Sequence, residues 1–149
     1  MKFTALIASI ALLATSVVAQ TTVTVSYDQT YDNADGSMLT VACSDGAEGL
    51  DPPYDTFGSL PTFPFIGGAA AVAGWGSSEC GSCWELSYTS PQGVVYTINV
   101  LAIDHAGAGF NIALEALNAL TNGQAEFLGR VDATATSVDA SAGSKREFE

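Results

Sequence analysis

Trp84-Glu-Leu-Ser-Tyr-Thr89, Ser90-Pro-Gln-Gly93 and Val94-Val-Tyr-Thr-Ile-Asn-Val-Leu-Ala-Ile103 follow one another without a gap. They read as strand, turn and strand. Both flanks are rich in aromatic and β-branched residues, which fit a pleated surface. A short connector carrying Pro and Gly between two such runs signals a hairpin. Upstream, Val23, Val25 and Tyr27 alternate with Thr22, Thr24 and Ser26, the period of a half-buried strand. Val131–Val138 is another β-rich run, and Leu39–Ala42 is a short candidate strand. Between them, Ser44-Asp-Gly46, Asp51-Pro-Pro53, Gly58-Ser59 and Phe63-Pro-Phe65 mark turns, and residues 66–74 are mostly glycine, alanine and other small residues. One segment breaks the β pattern. Ala113, Leu114, Leu117 and Leu120 fall at helical spacing, which predicts a helix near 112–121, with Asn111 as its cap and Gly123 as its stop. Short strands, many glycines and one helix favour a small β-barrel over a sandwich. No repeat or linker divides the chain, so one domain is expected.

Composition narrows the function. The chain has 149 residues, with 16 acidic and 4 basic ones, giving a net charge of −12. Neutralising nucleic-acid phosphates needs clustered Lys and Arg, and the same charge opposes docking on anionic lipid. Neither nucleic acid nor membrane is therefore an expected partner. Charged residues make up only 13% and hydrophobic ones 48%, which excludes a disordered acidic tail. Lys2, the apolar run Phe3–Val18 and the small pair Val17 and Ala19 have the form of a secretory signal. Residues 1–19 are expected to be removed, leaving a domain over 20–149. The run is slightly short for a membrane-spanning helix. A secreted protein, extracellular or in the cell wall, would meet oxidising conditions in which disulfides persist. No Asn-x-Ser/Thr sequon occurs.

Three cysteines, Cys43, Cys80 and Cys83, cannot all pair within one chain. Cys80-Gly-Ser-Cys83 has thioredoxin-like spacing but lacks a βαβ context. A zinc site from the cysteines and His105 is conceivable but disfavoured, so no metal and no cofactor is expected. A glycosidase needs two carboxylates flanking one bond, and Asp28, Asp45, Asp104 and Asp132 lie near predicted strand ends. Asp104 stands out because it ends the strongest strand, although such a residue also caps turns. No Gly-x-Ser-x-Gly elbow supports serine hydrolase chemistry. Tyr27, Tyr31, Phe63, Phe65, Trp75 and Trp84 could offer flat apolar faces to sugar rings. Trp84 reads as core, whereas Trp75, between Gly74 and Gly76, is harder to bury.

Together these segments resemble the cerato-platanin family of small secreted fungal proteins. The matching stretches are Val25-Ser-Tyr-Asp28, Val41-Ala-Cys-Ser-Asp-Gly46 with Gly49-Leu50, Phe63-Pro64 with Ile66-Gly-Gly68, and Gly74-Trp75. They continue through Cys80-Gly-Ser-Cys-Trp84, Ile98-Asn-Val-Leu-Ala-Ile-Asp104, Gly109-Phe-Asn-Ile112, Leu120-Thr-Asn-Gly-Gln-Ala125 and Gly129-Arg-Val-Asp132. The resemblance implies a mainly β fold, a six-stranded double-ψ β-barrel with one or two short helices, related to expansins and barwin-like proteins. It implies no enzymatic activity and a secreted, carbohydrate-binding protein for chitin or N-acetylglucosamine oligomers. It further implies expansin-like wall loosening, elicitation of plant defence through a plant receptor, and self-assembly at interfaces. Asp104 matches the family's acidic groove position, and Asn111, Tyr27 and Trp75 join it as candidate carbohydrate-binding residues. The resemblance also implies a Cys43–Cys80 disulfide. Cys83 lacks its usual partner near Ser141-Ala-Gly143, so a free thiol is expected there. The alternatives are a polysaccharide-cleaving double-ψ barrel enzyme and a surface-active structural protein of the fungal wall.

Overall fold

The computed structural model describes residues 20–143, so the expected signal segment and the terminal Ser-Lys-Arg-Glu-Phe-Glu lie outside the described residues. Six strands close into a barrel: β1 (Thr21–Tyr27), β2 (Ile66–Ala69), β3 (Cys83–Thr89), β4 (Val95–His105), β5 (Phe110–Ile112) and β6 (Arg130–Val138). Two helices, α1 (Leu114–Thr121) and α2 (Ala125–Leu128), sit between β5 and β6. Around the barrel the order is β1-β5-β2-β4-β3-β6. The β1–β5 and β2–β4 pairs are parallel and the other four antiparallel. A closed barrel leaves no unpaired edge for another chain to extend.

The expected β3–β4 hairpin forms, with Thr89 opposite Val95 and Leu86 opposite Ile98. Gly93 has φ +80°, a left-handed conformation that favours glycine. Alternating residues of the strands, including Val25, Ile66, Leu86, Val100 and Ile112, fill the core. From α1, Ala116, Leu117 and Leu120 close one side of it. Met38 and Phe57, from the long β1–β2 connection, are also fully buried.

Two local expectations are corrected. Leu39–Ala42 is not a strand: Met38–Thr40 form a 3-10 turn, because the Ser37 side chain accepts the Leu39 N–H. Asn111 does not cap α1. It lies within β5, and Asp32 performs the capping from 82 residues away, accepting from Leu114 N–H at 2.8 Å and Glu115 N–H at 2.9 Å. A carboxylate there satisfies two donors that have no intrahelical partner and favours the positive end of the helix dipole. At the other end Asn122, with φ 54°, precedes Gly123, and both N–H groups donate to the Asn118 carbonyl.

The Cys43–Cys80 disulfide spans 37 residues of sequence with a Cα–Cα separation of 5.3 Å. Closing such a loop in the unfolded chain corresponds to about 4 kcal/mol. It ties the β1–β2 connection to the segment entering β3. Cys83 is a buried free thiol, and desolvation pushes its pKa up.

Because Asp32, alone among the described residues, supplies side-chain acceptors to the start of α1, Asp32→Ala should cost about 1–2 kcal/mol. Thermal melting of the two proteins would show this as a lowered midpoint, with Asp32→Asn intermediate.

Candidate functional site

The candidate residues gather where β4 ends. Asp104 is half-buried, and its carboxylate has three protein donors. Oδ1 accepts from the Ala42 N–H at 2.9 Å and from its neighbour His105 N–H at 2.8 Å. Oδ2 accepts from the Tyr31 hydroxyl at 2.9 Å. An ionised carboxylate offers about four acceptor positions, so one on Oδ2 stays open to an incoming donor. The turn-holding and ligand-accepting roles weighed for Asp104 are thus compatible in one side chain.

Tyr31 does not offer a face to solvent; it is buried against Phe57, with ring centroids 6.1 Å apart. Burial first, then the charge and hydrogen bond of Asp104, hold its phenol well above the ordinary tyrosine range. The charge of Asp28 adds to this. Next to Asp104, His105 is exposed, and its Nδ1 lies 2.6 Å from the Val72 carbonyl. A carbonyl can only accept, so Nδ1 carries the proton.

Across the sheet, Asp104 is opposite Gly68, Gly68 is opposite Asn111, and Asn111 is opposite Ser26. Asp104 and Asn111 therefore lie two strands apart, about 10 Å at the usual strand spacing. A bulge between Gly67 and Gly68 sets this register. A Cβ on Gly68 would come within 2.8 Å of the His105 carbonyl oxygen, and one on Gly67 within 2.5 Å of the Asn111 carbonyl oxygen. Both glycines are needed for the backbones to approach this closely. The Asn111 Oδ1 accepts from Ser26 Oγ at 2.9 Å, which turns its NH2 group to other partners.

Trp75 stands on a separate loop at the same end and is 69% exposed. Its Nε1–H donates to Asp45 Oδ1 at 2.9 Å. A Cβ on Gly46 would lie 3.1 Å from the indole ring, so the glycine lets the ring settle on the loop. The Asp45 carboxyl is held below the usual carboxylate range, chiefly by the indole N–H. The indole is therefore an exposed flat face fixed in orientation. The loop it rests on begins beside Asp104, where Ala42 N–H meets the carboxylate and Cys43 N–H donates to the Ile103 carbonyl at 3.0 Å.

Other candidates are placed differently. Tyr27 follows Ser26 on β1 and points to the opposite side, half-buried against the core. Phe63, Phe65 and Trp84 are likewise partly buried against the core, with Trp84 edge-on to Phe110 at 5.6 Å. The zinc alternative fails on chemistry, since the disulfide consumes the thiols of Cys43 and Cys80. Sequence reading missed the supports: Tyr31 as the Asp104 donor and Asp45 as the Trp75 acceptor. Their partners lie 73 and 30 residues away.

The end of β4 thus combines an aromatic face, a carboxylate with one free acceptor position, an amide and an exposed histidine. Such a set is chemically able to stack against an apolar ligand face and to hydrogen-bond polar groups.

The family model described as cerato-platanin matches residues 23–144. The chain is 47% identical over 151 residues to "Allergen Asp f 15" of Aspergillus fumigatus, covering 95% of this chain and 96% of that relative. It is 44% identical over 110 residues to cerato-platanin of Ceratocystis fimbriata f. sp. platani, covering 74% and 77% respectively. The crystal structure of cerato-platanin 2 from M. perniciosa superposes with a TM-score of 0.80 at 50% identity, over 83% of this chain and 98% of that one.

The raised Tyr31 pKa links folding to alkali. Above pH 10 an unfolded chain releases the phenol proton while the folded one retains it, so stability falls as pH rises through that range. The stabilisation is fully present below pH 10. Urea midpoints at about pH 8 and about pH 11 should show Tyr31→Phe losing roughly 1 kcal/mol less than the wild type over that interval.

Proposed function

The chain belongs to the cerato-platanin family, and on that footing we propose that it is a secreted, non-enzymatic protein. It binds cell-wall oligosaccharides, N-acetylglucosamine oligomers foremost, at the end of the barrel formed by Asp104, Asn111 and Trp75. The observation that carries this reading is the exposed Trp75 indole, fixed by Asp45 beside the Asp104 loop. A fixed, solvent-facing aromatic ring suits the apolar C–H face of a pyranose and costs little conformational entropy on binding. The open acceptor position on Asp104 and the Asn111 amide supply hydrogen bonds that orient such a ring.

The names of the relatives fit a non-enzymatic role: they are called cerato-platanin, allergen and antigen. One related structure is titled a fungal elicitor. Perception by a plant, and expansin-like loosening of wall polymers without cleavage, extend the proposal to this chain. The three donors already engaged by Asp104 favour a holding role over general-acid work, which needs a carboxyl poised to give up a proton.

Calorimetric titration with chitotriose should show binding, and incubation should release no new reducing ends. Trp75→Ala should weaken binding about tenfold, the equivalent of about 1.4 kcal/mol. Its melting temperature should hold, because the ring is mostly exposed. New reducing ends would favour the enzymatic alternative, and unchanged affinity would remove Trp75 from the site.

A further inference from the structure

A concave surface lies at the opposite end of β4 from Asp104. It is a cleft of about 370 Å³ between the β3–β4 turn and the α1–α2 corner. Tyr96, Phe127, Gln92, Asn122 and Gln124 are among its lining residues. Tyr96 and Asp104 are eight residues apart on one strand, about 26 Å at the rise of an extended chain. The cleft is therefore separate from the Asp104 end.

Its chemistry is uniform. None of the lining residues is charged, although the protein carries a net charge of −12. Phe127 is 87% exposed at its rim. An exposed Phe alone means little, but this one borders a cleft that also holds Tyr96 and three amides. Among the described residues, the side-chain amides of Gln92, Asn122 and Gln124 make no hydrogen bond with the protein. Each amide both donates and accepts. The turn and the corner that carry them are fixed locally: Gly93 N–H donates to the Ser90 carbonyl, Ser90 Oγ accepts from Val94 N–H, and Asn118 Oδ1 accepts from Ala125 N–H.

We propose that this cleft is a second binding site, specific for a neutral pyranose sugar. Phe127 and Tyr96 contact the apolar face of the ring, and Gln92, Asn122 and Gln124 hydrogen-bond its hydroxyls. Amides that both give and take hydrogen bonds match hydroxyl groups, which do the same. A lining without cations, in a strongly acidic protein, disfavours uronic acids and phosphates, whose charge would be left unpaired. The volume falls at the small end of ligand pockets, so it accepts a short saccharide or one end of a chain. Two sugar sites at opposite ends of one barrel would let a single molecule bridge two glycan chains. The cleft does not rest on the reading of the Asp104 end.

Amide NMR spectra of the isotope-labelled protein, titrated with cellotriose, chitotriose and trigalacturonic acid, test this. Saturable shifts are expected at Gln92, Asn122, Gln124 and Phe127 with at least one of the two neutral sugars, and none with the acidic one. Phe127→Ala should weaken binding at this end about tenfold and leave any shifts around Trp75 unaltered. Phe127 is 87% exposed, so the variant should fold, and a wild-type-like spectrum of the core checks this. No saturable shift at the cleft with either neutral sugar, equal binding of the acidic one, or unchanged affinity in Phe127→Ala would overturn the proposal. Shifts at the cleft alone would support it while removing the Asp104 end; shifts around Trp75 alone would do the reverse.

Discussion

One carboxylate, at the end of the longest strand, ties together segments that are distant in sequence. Asp104 receives the Tyr31 hydroxyl from 73 residues away and the Ala42 N–H from 62 residues away. Without it, the Tyr31 hydroxyl would be left beneath the loop with no partner, and leaving a buried polar group unpaired costs more than a made hydrogen bond contributes. The long β1–β2 connection runs over this end of the barrel. Its course is set at Asp104, at the Cys43–Cys80 disulfide and at the bonds of Cys43 N–H to Ile103 and Asp51 N–H to Ser44. Trp75 inherits its position from that loop through Asp45.

The same arrangement explains how a small domain can combine strand-borne polar groups with a loop-borne aromatic ring in one site. The barrel supplies a rigid rim, where Gly67 and Gly68 let β4 and β5 backbones come close to β2. The strands carry Asp104 and Asn111 at that rim, the loops bring the Trp75 ring and the supporting Tyr31 and Asp45, and a few hydrogen bonds and one disulfide fix the loops there. Functional groups on loops held by a scaffold are the usual solution for binding proteins. Here the scaffold belongs to the cerato-platanin family, and the rim where the fixed loops meet β4 and β5 is where a carbohydrate-binding role would reside.

What the sequence makes legible is local. The β3–β4 hairpin carries its own turn chemistry and strand composition, β1 and β6 carry their own β patterns, and α1 carries its own leucine spacing. The strands β2 and β5 carry no such signal. Gly67-Gly68 and the three residues Phe110–Ile112 are extended because neighbouring strands pair with them on both sides. Asn111 looked like a helix cap because it precedes a helical run, and Asp32 holds that place through a contact that local pattern does not encode. In the site, Asp104 and Trp75 stand out by position and composition. Tyr31 and Asp45, which hold them, are visible only once the chain is folded. The pairing of Cys43 with Cys80 follows from the family resemblance, since three cysteines alone leave the choice open.

The central claim is that the Asp104–Tyr31 contact organises the functional end of the barrel. A double-mutant cycle with Asp104→Ala and Tyr31→Phe, read by urea unfolding at neutral pH, measures it directly. A hydrogen bond to a charged acceptor predicts a coupling energy of about 1–2 kcal/mol, with Asp104→Ala the more damaging single change because it also strands the Ala42 N–H. Additive effects, within about 0.3–0.5 kcal/mol, would contradict the account.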